Sequence, residues 1–231
     1  MPKLLIHVPH ASTDIPPDAW SEFIIGREAV ELEALTSADL HTDLMAQEAW
    51  PTAEIIQAQV SRIVVDVERY DDDSLEEMAQ VGRGVVYTCD HQMRQIRQTV
   101  SRERREELLA KYYRPHWERL RSAAIGAWLV DLHTYPEMPW PIEQRAQGAR
   151  PEIDIGFSAA LTPIAWVDAV TEHFRGHGYE VGHNTPYAGV IDAGAVAAVM
   201  IEIRRDVVGN PGSDPRWLRL IAALRSMPRS A

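Results

Sequence analysis

The sequence predicts an α/β fold: one domain, residues 1–231, built on a mixed, largely parallel sheet with helices on both faces. Short apolar runs alternate with longer helix-patterned segments, the succession of elements that builds such sheets. The runs are apolar at almost every position, as strands covered on both faces are. No shift in composition and no flexible linker divides the 231 residues, a length that suits one domain.

Taken in order, Leu4 to Val8 reads as a buried strand that runs into Pro9 and His10. Asp39 to Trp50 carries Leu40, Leu44 and Met45 at helical spacing. Ile63 to Val67 is a β-branched run of the kind a central strand uses. Asp71 to Gly84 is acidic and contains glycine, hence a loop. Arg102 to Ile125 has the pattern of a long amphipathic helix, which Pro115 must kink or split. Trp128 to Leu132 is a second apolar strand, and the proline-rich stretch Pro136 to Pro151 is a loop long enough to serve as a lid or binding loop. Thr162-Pro163 opens a helix that Gly176 or Gly178 closes. Val196 to Ile203 is a third apolar strand, and Ser213-Asp214-Pro215 caps a last helix that reaches about Ser226.

Composition narrows the function. The hydrophobic fraction is 45% and the charged fraction 25%, which excludes a disordered chain. A net charge of −11 opposes binding to phosphate backbones and anionic lipid, so neither nucleic acid nor a membrane is expected as partner. One cysteine, Cys89, forms no internal disulfide. The opening Met1 to His7 has too short an apolar run for a signal peptide, and Ala193 to Ile201 is too short to span a bilayer. A cytoplasmic protein is the expectation; the sequence sets no oligomeric state.

The chemistry-bearing residues sit where apolar strands end. The first strand runs into His10, the second into His133 and the third into Glu202. Open α/β sheets bind ligands outside the carboxyl ends of their strands. Two histidines and a carboxylate delivered there suit zinc with an open fourth position. Asp131, two positions before His133, projects to the same face of its strand and is placed to steady that histidine. Asp66 alternates with apolar residues and reads as structural, and His91, His116, His173 and His177 have no motif around them.

Five segments, in order, resemble the N-formylglutamate amidohydrolase family: His7-Val8-Pro9-His10-Ala11-Ser12, Ser61 to Arg69, Asp131-Leu132-His133-Thr134, Asn184-Thr185-Pro186-Tyr187 and Ile201-Glu202-Ile203-Arg204. They span nearly the whole chain and also resemble the zinc carboxypeptidases. The resemblance implies a mixed sheet of about eight strands, one zinc ion per chain, and hydrolysis of a carboxylate-bearing N-acyl amino acid such as N-formyl-L-glutamate. It implies that His10 and His133 hold the metal. The carboxypeptidase acid, three residues after the first histidine, is Thr13 here, so the third ligand comes from elsewhere. Asp39 is the choice, with Asp43 and His41 as competitors and helix capping as the alternative use of Asp39.

By the same resemblance Glu202 is the proton-transferring carboxylate. Arg62, Arg69 and Arg204 would grip substrate carboxylates, since a guanidinium matches a carboxylate in a bidentate way. Asn184 and Tyr187 would bind the substrate amide or its oxyanion, with turn formation as the plainer use of Asn184. Glu68 departs from the family, which carries Asn-Arg where this chain has Glu68-Arg69. That departure keeps two rivals open: a zinc hydrolase of another N-acyl amino acid or small peptide, and a non-catalytic carboxylate-binding protein of the same fold.

Overall fold

Six strands hydrogen-bond into one mixed sheet in this computed structural model, which describes residues 3–143 and 150–229. They are β1 (Lys3–Val8), β2 (Glu54–Gln57), β3 (Ala127–Tyr135), β4 (Ile153–Gly156), β5 (Val181–His183) and β6 (Ala197–Arg204). Their order across the sheet is β2-β1-β3-β6-β4-β5. The first four in that order are mutually parallel, while β4 runs antiparallel to β6 and parallel to β5. Among the described residues the sheet has six strands, not about eight.

Among the described residues six α-helices accompany the sheet: α1 (Arg27–Ser37), α2 (Thr42–Ala49), α3 (Arg102–Leu108), α4 (Arg114–Ala124), α5 (Ile164–Gly176) and α6 (Pro215–Ser226). Trp166, Val170 and Phe174 of α5, Met45 of α2, and Trp217 and Leu220 of α6 join Val130, Leu132, Val199 and Ile201 in the main core. Leu120, Ala123 and Ala124 of α4 cover the other face, against Leu5, Leu129 and Ala198. β3 and β6 are buried along nearly their whole length, which explains their unbroken apolar runs.

Ile63 to Val67 is not a strand. Ile63, Val64 and Val65 are buried in a separate small core with Val30 and Ala34 of α1 and Leu108 of α3. The buried Arg97 donates to the carbonyls of Ile63 and Val64, so those groups are satisfied without a sheet partner. A β-branched run reports burial, and here burial was met by turns. Helix α1 and the short strands β2, β4 and β5 carry too little periodicity to stand out in the sequence.

Pro115 does divide the predicted long helix. A π-helical turn, Leu109–Tyr113, separates α3 from α4, and Pro115 sits in the first turn of α4, where its missing N–H costs nothing. Asp214 caps α6 as expected, accepting from the Arg216 amide. Thr162 does not cap α5; its hydroxyl donates to the Ala198 carbonyl. Of the proline-rich loop, residues 144–149 lie outside the described residues. No helix among the described residues is long and apolar enough to cross a membrane.

Candidate metal centre and active site

The parallel strands deliver their polar residues to one end of the sheet. His10 follows β1, while His133 of β3 and Glu202 of β6 are direct register partners. Asp39 arrives on the turn before α2, pinned by its amide donating to the His10 carbonyl. His41, with a left-handed backbone, is the residue that precedes α2, and no side chain caps that helix. The Asp39 carboxylate is therefore free of the capping use and faces the two histidines instead.

His10, Asp39 and His133 form a group whose ligand-capable atoms lie within 4.8 Å of one another, and all three residues are buried. Asp39 Oδ2 is 3.4 Å from His10 Nδ1 and 3.1 Å from His133 Nδ1. A tetrahedral zinc ion with bonds of about 2.1 Å needs donor-to-donor edges of about 3.4 Å, which these separations match. The far nitrogens face carboxylates: His10 Nε2 bonds Asp66 Oδ1 at 2.9 Å, and His133 Nε2 lies 3.1 Å from Asp131 Oδ1. Such carboxylates fix the ring and turn its other nitrogen toward a metal. His10 Nδ1 is buried with no hydrogen-bond partner, a lone donor atom of the kind a cation would satisfy. The donor set thus fits zinc, with a fourth position left for water or substrate. The competitors do not join it: His41 packs edge-on against Trp217, and Asp43 lies outside the group.

Electrostatics follow from this crowding. Burial opposes ionisation of Asp39, yet the adjacent imidazoles of His10 and His133 hold it well below the usual carboxylate range. Burial pushes Glu202 up to about 8; the charges of Asp39, Glu68 and Asp154 add to the rise and His133 opposes it. Oε2 of Glu202 is buried with no hydrogen-bond partner. Asp154, opposite Glu202 in the sheet, is raised by burial to about 7.

The predicted substrate residues divide. Arg62 is committed to Asp66, its Nε and Nη2 donating to Oδ2 at 3.0 and 2.8 Å. Arg69 lies 3.7 Å from both Asp66 and Glu76, and its Nε is unpartnered. Arg204 is turned to Asp206 and to the Arg150 carbonyl. The Asn184 side-chain oxygen accepts from the amides of Phe157 and Gly189, which is turn chemistry. The ring of Tyr187 stands edge-on to Tyr135, and its phenol is raised by burial and by the charges of Glu143 and Glu202.

Several site residues escaped the sequence reading. Asp66 is no structural strand residue: fully buried, it accepts from His10, Arg62, Tyr87 and the Glu68 amide. His116, on the first turn of α4, bonds His7 Nε2 through its own Nε2 at 2.8 Å and is held neutral by burial, which pushes it down to about 3. Pro115 beside it was the available signal, since it fixes where α4 begins. Arg150 lies against the rings of Tyr135 and Tyr187 with Nη2 buried and unpartnered, and no motif marks it.

Fold and site together define an α/β protein with a candidate His-Asp-His metal centre at the carboxyl ends of parallel strands. The sequence profile of N-formylglutamate amidohydrolase matches residues 2–208. The chain belongs to the N-formylglutamate amidohydrolase family. An N-formylglutamate amidohydrolase from Ralstonia eutropha superposes with a TM-score of 0.80 at 20% identity, covering 98% of this chain and 91% of that one. A gene product of Agrobacterium tumefaciens superposes with a TM-score of 0.73 at 19% identity, covering 97% and 87%. No curated protein matches the sequence.

Proposed function

We propose that this chain hydrolyses the amide bond of an N-formyl amino acid, N-formyl-L-glutamate foremost, with a zinc ion held by His10 Nδ1, His133 Nδ1 and Asp39. The observation that carries the reading is the approach of both Nδ1 atoms to one carboxylate beside Glu202. Bound there, the ion supplies Lewis acidity, polarising the formyl carbonyl and acidifying water. Glu202 takes the proton of the attacking water and passes it to the departing amine nitrogen; burial suits it to both steps by bringing its pKa toward neutrality. Asp66 and Asp131 keep the two imidazoles oriented, and Arg62 keeps Asp66 ionised.

Arg69 and Arg150 each retain a buried unpartnered nitrogen, and these are the groups assigned to substrate carboxylates. Tyr187, neutral and near Glu202, donates to the developing oxyanion. The test is formate release from N-formyl-L-glutamate, measured beside a panel of N-acetyl and longer N-acyl amino acids. The reading expects release that stops on chelation and returns with zinc. Absence of release from every N-acyl amino acid by zinc-loaded protein refutes it.

A further inference from the structure

The region beside that centre holds a second group of ligand-capable atoms. His7, Glu68 and Asp131 offer donors within 4.8 Å of one another, from β1, the 61–69 turn and β3. Asp131 Oδ1 is 2.8 Å from His7 Nδ1 and 3.1 Å from His133 Nε2. Glu68 Oε1 is 3.6 Å from His7 Nδ1 and 3.4 Å from His133 Nε2. These four edges span the separation of about 3.4 Å that a tetrahedral zinc site requires.

Hydrogen bonding alone leaves this group incomplete. His133 Nε2 is buried without a hydrogen-bond partner, although two carboxylates flank it, and the Glu68 contacts exceed hydrogen-bond length. The far nitrogen of His7 is already engaged by His116 at 2.8 Å, the outward contact that a metal-binding imidazole uses to fix its tautomer. Carboxylates also outnumber the guanidiniums of Arg62 and Arg69: Asp39, Asp66, Glu68, Asp131 and Glu202 all reach this region. Glu68 is the residue that departs from the family pattern, and its exchange of an amide for a carboxylate supplies a donor oxygen.

We propose that His7, Glu68, Asp131 and the Nε2 atom of His133 form a second divalent-metal site, of the zinc class. It goes beyond the proposed activity and shares only His133 with the His10–Asp39–His133 centre. Asp131 then ligates an ion as well as flanking His133. With Nδ1 of His7 on the ion, the ring's proton is on Nε2 and points at His116. A His133 ring engaged through both nitrogens releases its last proton to solvent.

The experiment is zinc titration and metal analysis of the purified wild-type chain, Glu68→Gln and Asp39→Asn. Glu68 is partly exposed and its carboxylate faces His7, His10 and His133, so the isosteric Glu68→Gln keeps the shape of the site. The expected result is two zinc ions per wild-type chain. Glu68→Gln keeps one and binds the second at least about 100-fold more weakly, the upper range for losing even an indirect contact. Asp39→Asn keeps the other. One ion per wild-type chain, retained in Glu68→Gln and lost in Asp39→Asn, overturns the second site and leaves the proposed centre intact. One ion lost in Glu68→Gln but retained in Asp39→Asn supports this site and removes the other assignment. No bound zinc in any of the three overturns both. Far-ultraviolet circular dichroism of each variant, matched to wild type, certifies that a lost ion reflects a lost ligand.

Discussion

Replacing Asp66 by asparagine reaches both the stability and the metal chemistry of this chain. Asp66 Oδ2 accepts from Arg62 Nε at 3.0 Å, Arg62 Nη2 at 2.8 Å and the Tyr87 hydroxyl at 2.6 Å. Oδ1 accepts from His10 Nε2 at 2.9 Å and the Glu68 amide at 3.1 Å. Asparagine keeps one oxygen and turns the other atom into a donor. With the oxygen toward Arg62, the new NH2 group meets the Glu68 N–H and donates to His10 Nε2. The imidazole must then carry its proton on Nδ1, the atom assigned to zinc.

The buried guanidinium of Arg62 loses its countercharge, a change that costs about 3–5 kcal/mol in comparable buried pairs. Asparagine retains an acceptor, which places the expected loss near the lower figure, about 3 kcal/mol. Zinc affinity falls about 10- to 100-fold, because an imidazole has lost the carboxylate that oriented it. Urea denaturation of the zinc-free chain measures the first effect and competition with a zinc chelator the second. A loss below about 1 kcal/mol together with zinc affinity within twofold of wild type refutes the reasoning, since it would mean that Asp66 neither anchors Arg62 nor orients His10.

Glu202→Gln should lower kcat at least about 100-fold while zinc content stays that of wild type, read by steady-state formate release and metal analysis. Leu132→Ala, in the fully buried centre of β3, should cost about 3 kcal/mol in urea denaturation, as removal of a core leucine does elsewhere. Asp154 binds its proton more tightly in the fold than in the unfolded chain. Stability therefore falls as pH rises from about 4, the usual carboxylate value, to about 7. Asp154→Asn should flatten that slope, and denaturation midpoints of both chains at pH 4.5 and 7.5 check it.

Much of this was legible in the sequence because burial leaves a strong mark. The unbroken apolar runs that became β1, β3 and β6 lie in the middle of the sheet, where both faces are covered. Each leads to a residue the site uses, so His10, His133 and Glu202 could be named from strand ends alone. Asp39 needed the resemblance, since helix capping offered an equal reason for an aspartate there. Ile63 to Val67 misled because a run of branched apolar residues records burial without recording hydrogen-bond partners; Arg97, distant in sequence, supplies them. The same error hid Asp66, whose partners His10 and Tyr87 come from other segments. His116 was marked only by Pro115, which sets the start of α4, and Arg150 gained its place by stacking on rings, which leaves no local pattern.

Glu68 shows the reverse situation. The sequence marked it as a departure, and the structure sets its two oxygens among His7, His10 and His133 at 3.4 to 3.6 Å. A carboxylate so placed draws cations toward the cluster, whether carried by histidine or by a metal.

In the proposed centre one divalent ion lies between the Nδ1 atoms of His10 and His133 and the Asp39 carboxylate. Anomalous diffraction at the zinc edge, from crystals grown with zinc, tests it most directly. A zinc ion held there gives a peak about 2.0–2.2 Å from all three atoms. Zinc bound only to other side chains, or no peak near these three at saturating zinc, contradicts it.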